Sequence, residues 1–143
     1  LYVVLLSNQP LRMALLLGLD IGSSSIKASV LDSTTGETMA TAQSPQQELT
    51  MMALQPGWAE QDPDVWFEHS LLAIRQCLSS PRVNAHHIRA IGIAYQMHGL
   101  VVVNKHGKPL RPSIIWCDSR AVGIGEDAFR RLGSDYCLNH LLN

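Results

Sequence analysis

An α/β fold, built on a mixed five-stranded sheet with flanking helices, is what this sequence predicts. Three observations point to it. Short apolar or alternating runs, separated by turn residues, open the chain as a strand meander. A capped helix at helical apolar spacing follows near residue 62. An apolar strand comes after it, and a strand, a crossover helix and a second strand imply a parallel pairing.

The elements follow in order. Residues 14–19 form a short apolar run suited to a buried strand. Asp20, Gly22 and Ser23 break it with turn formers. Residues 25–32 alternate, with Ile26, Ala28 and Val30 on one face and Lys27 and Ser29 on the other. A turn at 33–36 leads to a third strand at 37–42. Residues 44–60 have no clear period, contain Pro45, Pro56 and Gly57, and read as a loop over the sheet. Asp62 suits a helix N-cap and Pro63 the first helical position. Trp66, Phe67, Leu71, Ile74 and Leu78 then recur as an apolar stripe, ending near Pro81. Residues 88–94 read as a strand buried on both sides, 100–104 and 113–116 as further strands, and 118–131 as a helix stopped by Gly133.

Bulk properties bound the function. The chain has 143 residues, enough for one domain with a real core. Apolar residues at 46% against 16% charged describe a globular chain, not a disordered one. A formal charge of -1 gives no electrostatic footprint for nucleic acid or an anionic membrane. The three cysteines, Cys77, Cys117 and Cys137, are widely spaced and form no CxxC pair, which fits a reducing, cytoplasmic setting. No apolar run reaches the roughly 18–20 residues of a spanning helix. The apolar pieces before Asp20 are broken by Ser7, Asn8, Gln9, Pro10 and Arg12, without a small-residue cleavage site. Met13 directly precedes the first convincing strand. Residues 1–12 are therefore read as a non-native or upstream extension, and 13–143 as the body of the domain.

Four stretches carry candidate chemistry. In the first, Asp20 ends a buried strand and Gly22, Ser23, Ser24, Ser25 and Lys27 follow. Glycine lets a ligand approach the backbone, amides and hydroxyls suit phosphate oxygens, and a carboxylate suits magnesium. Read alone, it is equally a polar hairpin turn, and Lys27 a solvated strand lysine. In the second, Gln96, Met97, His98 and Gly99 follow the strand at 88–94. Gln and His offer both donors and acceptors to a polyhydroxylated ligand, and Met97 an apolar surface; a strand-end turn is the structural alternative. The third, Gly57 to Pro63, is a helix start anchored by Trp58, with Trp58 or Glu60 bordering a ligand as the rival reading. In the fourth, Trp116, Cys117, Asp118, Ser119 and Arg120 stand at a strand-to-helix junction. Asp118 or Ser119 caps the helix or enters a pocket, and Arg120 pairs with Asp118 or with phosphate. His86 and His87 are adjacent and point apart, so they do not read as a metal pair.

Together and in this order, these stretches resemble the FGGY carbohydrate kinases, most closely the xylulokinases. The matching pieces are 18–27, 57–63, 91–94 with 96–99, and 110–112 with Ile115 and Trp116. The resemblance covers roughly residues 14–132. It implies a ribonuclease-H-like domain of the actin and sugar-kinase type, ATP and Mg2+ as cofactors, and transfer of the γ-phosphoryl group to a sugar hydroxyl, with D-xylulose the first choice. It places Asp20 in the magnesium–phosphate network, Gly22, Ser23, Ser24, Ser25 and Lys27 on the nucleotide side, and Gln96, Met97, His98, Trp116 and Asp118 on the sugar side. Tyr95 and the sequence Cys117-Asp118-Ser119-Arg120 depart from the xylulokinase pattern, so ribulose, gluconate or a similar sugar stays open. Family members are several times longer. The general base and most of the adenine site belong to parts absent from this sequence, so no base is assigned and the chain alone is expected to be inactive. A non-catalytic sugar-binding remnant and an actin- or Hsp70-like ATPase are the rivals; Asp20 disfavours the first and the sugar-side motif the second.

Overall fold

A computed structural model describes residues 2–5 and 14–141. Among the described residues seven strands are present: β1 (Tyr2–Leu5), β2 (Leu15–Ile21), β3 (Ile26–Asp32), β4 (Thr38–Ser44), β5 (Glu60–Gln61), β6 (Ile88–Tyr95) and β7 (Ser113–Ile114). The two main helices are α1 (Pro63–Leu78) and α2 (Val122–Leu132). Strands order as β1-β6-β2-β3-β4 in one five-stranded sheet, and β5 pairs with β7 in a small separate ribbon.

The meander is antiparallel throughout, and β2 pairs with β6 in parallel, as a crossover through α1 requires. Tyr2–Leu5 lies antiparallel on the outer edge of β6 and supplies the fifth strand. The rest of the amino-terminal stretch read as an extension, residue 1 and residues 6–12, lies outside the described residues. The turn between β3 and β4 is held by Asp32, whose Oδ1 accepts the Thr34 and Thr35 amides at 2.7 and 3.0 Å, with Gly36 at a φ of 73°.

Alternation builds the core. Leu15, Leu17 and Leu19 from β2 and Ile26, Ala28 and Val30 from β3 face α1 and are buried. Asp62 caps α1 by accepting the Asp64 amide at 3.0 Å, and Pro63 opens the helix. The buried face of α1 runs through Ser70, Ala73 and Cys77, with Val65, Trp66, Ile74 and Leu78 partly buried beside it. This differs from the expected stripe: Phe67 and Leu71 lie on its exposed margin. Ser70 can sit on the core face because its hydroxyl donates to the Trp66 carbonyl at 2.7 Å.

Two further expectations shift. Residues 100–104 do not join the main sheet; only isolated bridges form, Leu100 with Ile114 and Val103 with Pro109, across a turn at Gly107. The helix expected from 118 starts at Val122, because Asp118 and Ser119 are engaged elsewhere: Asp118 accepts from Ala59 and Arg120, and Ser119 donates to the Gly57 carbonyl. Gly133, with a φ of 85°, ends α2 as expected. None of the residues of α2 is buried, and Val122, Ile124, Phe129 and Leu132 are exposed. No helix among the described residues is long and apolar enough to cross a membrane.

Candidate functional site

Parallel pairing of β2 with β6 brings two of the motif loops to one edge of the sheet. Asp20 stands in register with Ala94 and Ile21 with Tyr95, and the Gln96 amide donates to the Ile21 carbonyl at 2.9 Å. The turn at 22–25 and the loop at 96–99 thus leave neighbouring strand ends, about 4.8 Å apart. The Gly22 amide closes its turn on the Ser25 carbonyl at 3.2 Å. A side chain at Gly22 would bring a Cβ to 3.0 Å from that same oxygen, so the turn is as tight as glycine allows. Asp20 and Lys27 are exposed and in register across β2 and β3. Asp20 alternates with buried Leu19, so it projects from the sheet face away from α1.

Loop 96–99 borders a cavity of about 370 Å3 on the α1 side, formed by Trp66, Phe67 and Ser70 of the helix and by Gln96, Met97 and His98. Both polar atoms of the Gln96 amide are buried and have no hydrogen-bond partner. Buried polar groups are nearly always satisfied, so this amide beside the cavity is left for a water or a hydrogen-bonding ligand to satisfy. His98 takes a φ of 63°, a left-handed conformation seldom adopted by residues other than glycine. Such strain concentrates where a side chain is held for function. Asp20 does not line this cavity, because it lies on the opposite sheet face. The two motifs are therefore adjacent at the strand ends, while their side chains serve different faces.

The rim comes from the segment after β7. Trp116 is exposed, and its indole Nε1 donates to the Ser23 hydroxyl at 3.2 Å, joining the sugar-side motif to the phosphate-side turn. Asp118 turns the other way. Its side chain is 2% exposed and accepts from the Ala59 amide at 2.7 Å and from the Arg120 guanidinium at 2.7–3.0 Å. The Arg120 hydrogen bonds, reinforced by backbone amides and opposed by burial, hold this carboxyl far below the usual carboxylate range. Arg120 also bonds Glu60 at 2.7 Å and lies 3.9 Å from the Trp58 ring centroid. Glu60, buried, takes Arg111 as a second partner. Of the two partners foreseen for Arg120, the structure supplies Asp118. This network ties the 57–61 segment to 111–120 and so carries Trp116 to its place beside Ser23.

Several residues of the site were not legible as such. Trp66 and Phe67 read as part of an apolar helix stripe and Ser70 carried no signal, yet all three line the cavity, with Phe67 68% exposed. Gln61 falls within the helix-start stretch 57–63 with no role assigned to it, yet it is 3% exposed and makes contacts on three sides. Among the described residues, no group of three or more His, Cys, Asp or Glu side chains is placed to hold a metal.

The N-terminal domain of the FGGY carbohydrate kinases matches residues 15–139. The chain belongs to the FGGY family. A xylulose kinase of Staphylococcus epidermidis is 36% identical over 104 residues, covering 73% of this chain and 20% of that protein. A glycerol kinase of Albidiferax ferrireducens is 40% identical over 111 residues, covering 76% and 21%. Among solved structures, a "xyloylose kinase" from Brucella ovis superimposes with a TM-score of 0.70 at 32% identity, covering 82% of this chain and 25% of that one. This FGGY chain therefore has the sugar-kinase, actin-like fold over a partial domain, and spans about a fifth to a quarter of the length of the relatives it matches.

Proposed function

We propose that this FGGY chain supplies the phosphate-facing turn and the sugar-facing loop of an ATP-dependent sugar kinase whose acceptor is D-xylulose. One observation carries the reading. The tight turn after Asp20 and the loop bearing the orphaned Gln96 amide leave adjacent parallel strands at the same sheet edge. Ligands of open α/β sheets gather at such carboxyl ends. A phosphoryl donor and its acceptor must be held side by side, and that is the arrangement the two loops offer.

The residues take distinct roles. The Ser23, Ser24 and Ser25 stretch presents amides and hydroxyls to the terminal phosphates, with Lys27 adding positive charge on the Asp20 face. Gln96 and His98 hydrogen-bond hydroxyls of the acceptor, Met97 packs against its carbon skeleton, and Trp116 closes the rim. Asp118 holds Arg120, and through it the segment that carries Trp116. Gly22 keeps the phosphate-side turn tight, since a Cβ there would be crowded against the Ser25 carbonyl. Magnesium fits: with a single carboxylate, Asp20, at hand, most of its ligands would be phosphate oxygens and water, the ligand set this ion prefers. When bound, it neutralises phosphate charge. No side chain of this chain is assigned as the general base, so turnover needs a carboxylate from further polypeptide, and the chain alone is expected not to release ADP.

Calorimetric titration of the chain with D-xylulose, glycerol and gluconate, each with and without MgATP, tests the reading. Saturable binding of D-xylulose in preference to the other two, strengthened by MgATP, is expected. Preference for glycerol, as the matches to glycerol kinases allow, would move the acceptor to a triol while keeping the kinase reading. Absence of binding to every sugar would end it.

A further inference from the structure

Gln61 makes a set of contacts that a helix start does not need. Its Nε2 donates to the Ser23 carbonyl at 2.7 Å and approaches the Thr50 carbonyl at 3.5 Å, while its Oε1 accepts from the Trp66 indole at 3.1 Å. An indole N–H can only donate, so Trp66 fixes which end of the Gln61 amide is oxygen and aims the NH2 group at Ser23. The side chain is 3% exposed, and its backbone is held in β5 opposite Ser113. Beside this contact, the Leu49 amide donates to the Ser24 carbonyl at 2.7 Å. Two successive carbonyls of the turn are thus held, one by Gln61 of β5 and one by the Leu49 amide.

In a trans peptide the C=O and the following N–H point in opposite directions within one plane. Pinning the Ser23 carbonyl to Gln61 therefore turns the Ser24 amide away from Gln61. Pinning the Ser24 carbonyl to Leu49 does the same for the Ser25 amide. Two consecutive N–H groups directed outward make the concavity that binds phosphate oxygens. Leu49 contributes only backbone, so Gln61 is the side chain that sets this orientation.

We propose that Gln61 is a positioning residue for the phosphate turn: it clamps the Ser23 carbonyl and so presents the Ser24 and Ser25 amides to the nucleotide. This rests on the kinase reading above. Loss of the clamp frees the Ser23–Ser24 peptide to rotate, which weakens nucleotide binding more than sugar binding, because among the described residues Gln61 touches the cavity bordered by residues 96–99 only through the Trp66 indole.

The test is a pair of NMR titrations of the 15N-labelled chain, one with MgATP and one with D-xylulose, for wild type, Gln61→Met and Gln61→Glu. Gln61→Met keeps the length of the side chain and removes both hydrogen bonds. Gln61→Glu keeps an acceptor for Trp66 and sets a carboxylate against the Ser23 carbonyl. The expected result is a loss of MgATP affinity of about tenfold, the size of one hydrogen bond, with D-xylulose affinity within about twofold of wild type in Gln61→Glu, which keeps the Trp66 contact. The Ser24 and Ser25 amide signals should move in the free variants. Wild-type affinity for MgATP in either folded variant overturns the role of Gln61 and leaves the kinase reading standing. Equal loss of both ligands makes Gln61 a general structural residue and also overturns it. Failure of the wild type to bind MgATP overturns both proposals. Should neither variant fold, the wild-type Gln61 side-chain NH2 signals decide: they should shift with MgATP and not with D-xylulose, and the reverse response refutes the clamp.

Discussion

Replacing His98 by glycine and by alanine separates the two things this residue does. At a φ of 63°, His98 sits in the left-handed region, where an L-residue pays about 1–2 kcal/mol for its Cβ. Glycine removes that strain but loses about 0.5–1 kcal/mol through the greater freedom of its unfolded chain. Alanine keeps the strain and lacks the imidazole. Taken at the middle of both ranges, the difference leaves His98→Gly about 0.75 kcal/mol more stable than His98→Ala, or about 2–3 °C in Tm for a domain of this size. Both lose the imidazole, so each should weaken D-xylulose binding by about tenfold or more. Thermal melts by circular dichroism and calorimetric titration of both variants give the two readouts. An alanine variant as stable as the glycine variant would refute the strained backbone. A glycine variant that binds the sugar as wild type does would refute the imidazole contact.

Other outcomes follow from burial and charge. Ile26 is fully buried at the turn end of the β2–β3 pair, so Ile26→Ala should cost about 3 kcal/mol in denaturant unfolding, with the slope unchanged. Cys77 is fully buried and burial pushes its thiol pKa up, and Cys137 is buried, whereas Cys117 is exposed; a thiol reagent should modify Cys117 quickly and the other two only on unfolding. The Asp118 carboxyl is held below its ordinary value, so its contribution to stability is complete above the unfolded pKa of about 3.9 and is lost as pH falls below it towards the folded value. Melts between pH 6 and pH 3 should show a steeper acid limb in wild type than in Asp118→Asn.

Strong local chemistry was legible in the sequence, and whatever depended on partners distant along the chain was not. The meander could be read because Asp32 and Gly36 carry the turn residues that a tight connection needs, and α1 because Asp62 and Pro63 mark its start. Parallel pairing of β2 with β6 followed from the crossover alone. The β5–β7 ribbon was hidden, since two residues per strand leave no periodicity to detect. Residues 100–104 carry the apolar β-branched run of a strand, yet only isolated bridges form there. The start of α2 moved because Asp118 and Ser119 bond back across some sixty residues to Gly57 and Ala59 instead of capping the next helix. Glu60 read as part of a helix entry or as a ligand neighbour, and its buried ion pairs were hidden because its arginine partners lie more than fifty residues away. In the site, the motif loops were found by residue type, but the wall of the cavity was not: Phe67 has the spacing of a core residue, and only the packing shows it exposed.

The central claim is that the turn after β2 and the loop after β6 bind one donor–acceptor pair side by side. Manganese substituted for magnesium in the nucleotide complex tests it most directly, because the paramagnetic ion broadens amide signals in its neighbourhood. With MnATP and D-xylulose present, the signals of Gly22, Ser23, Ser24 and Ser25 should vanish first, those of Gln96, Met97, His98 and Gly99 next, and those of the distant Thr34–Thr35 turn should persist. Broadening centred on that turn, or on Lys105 and His106, with both motif loops unaffected, would contradict the account.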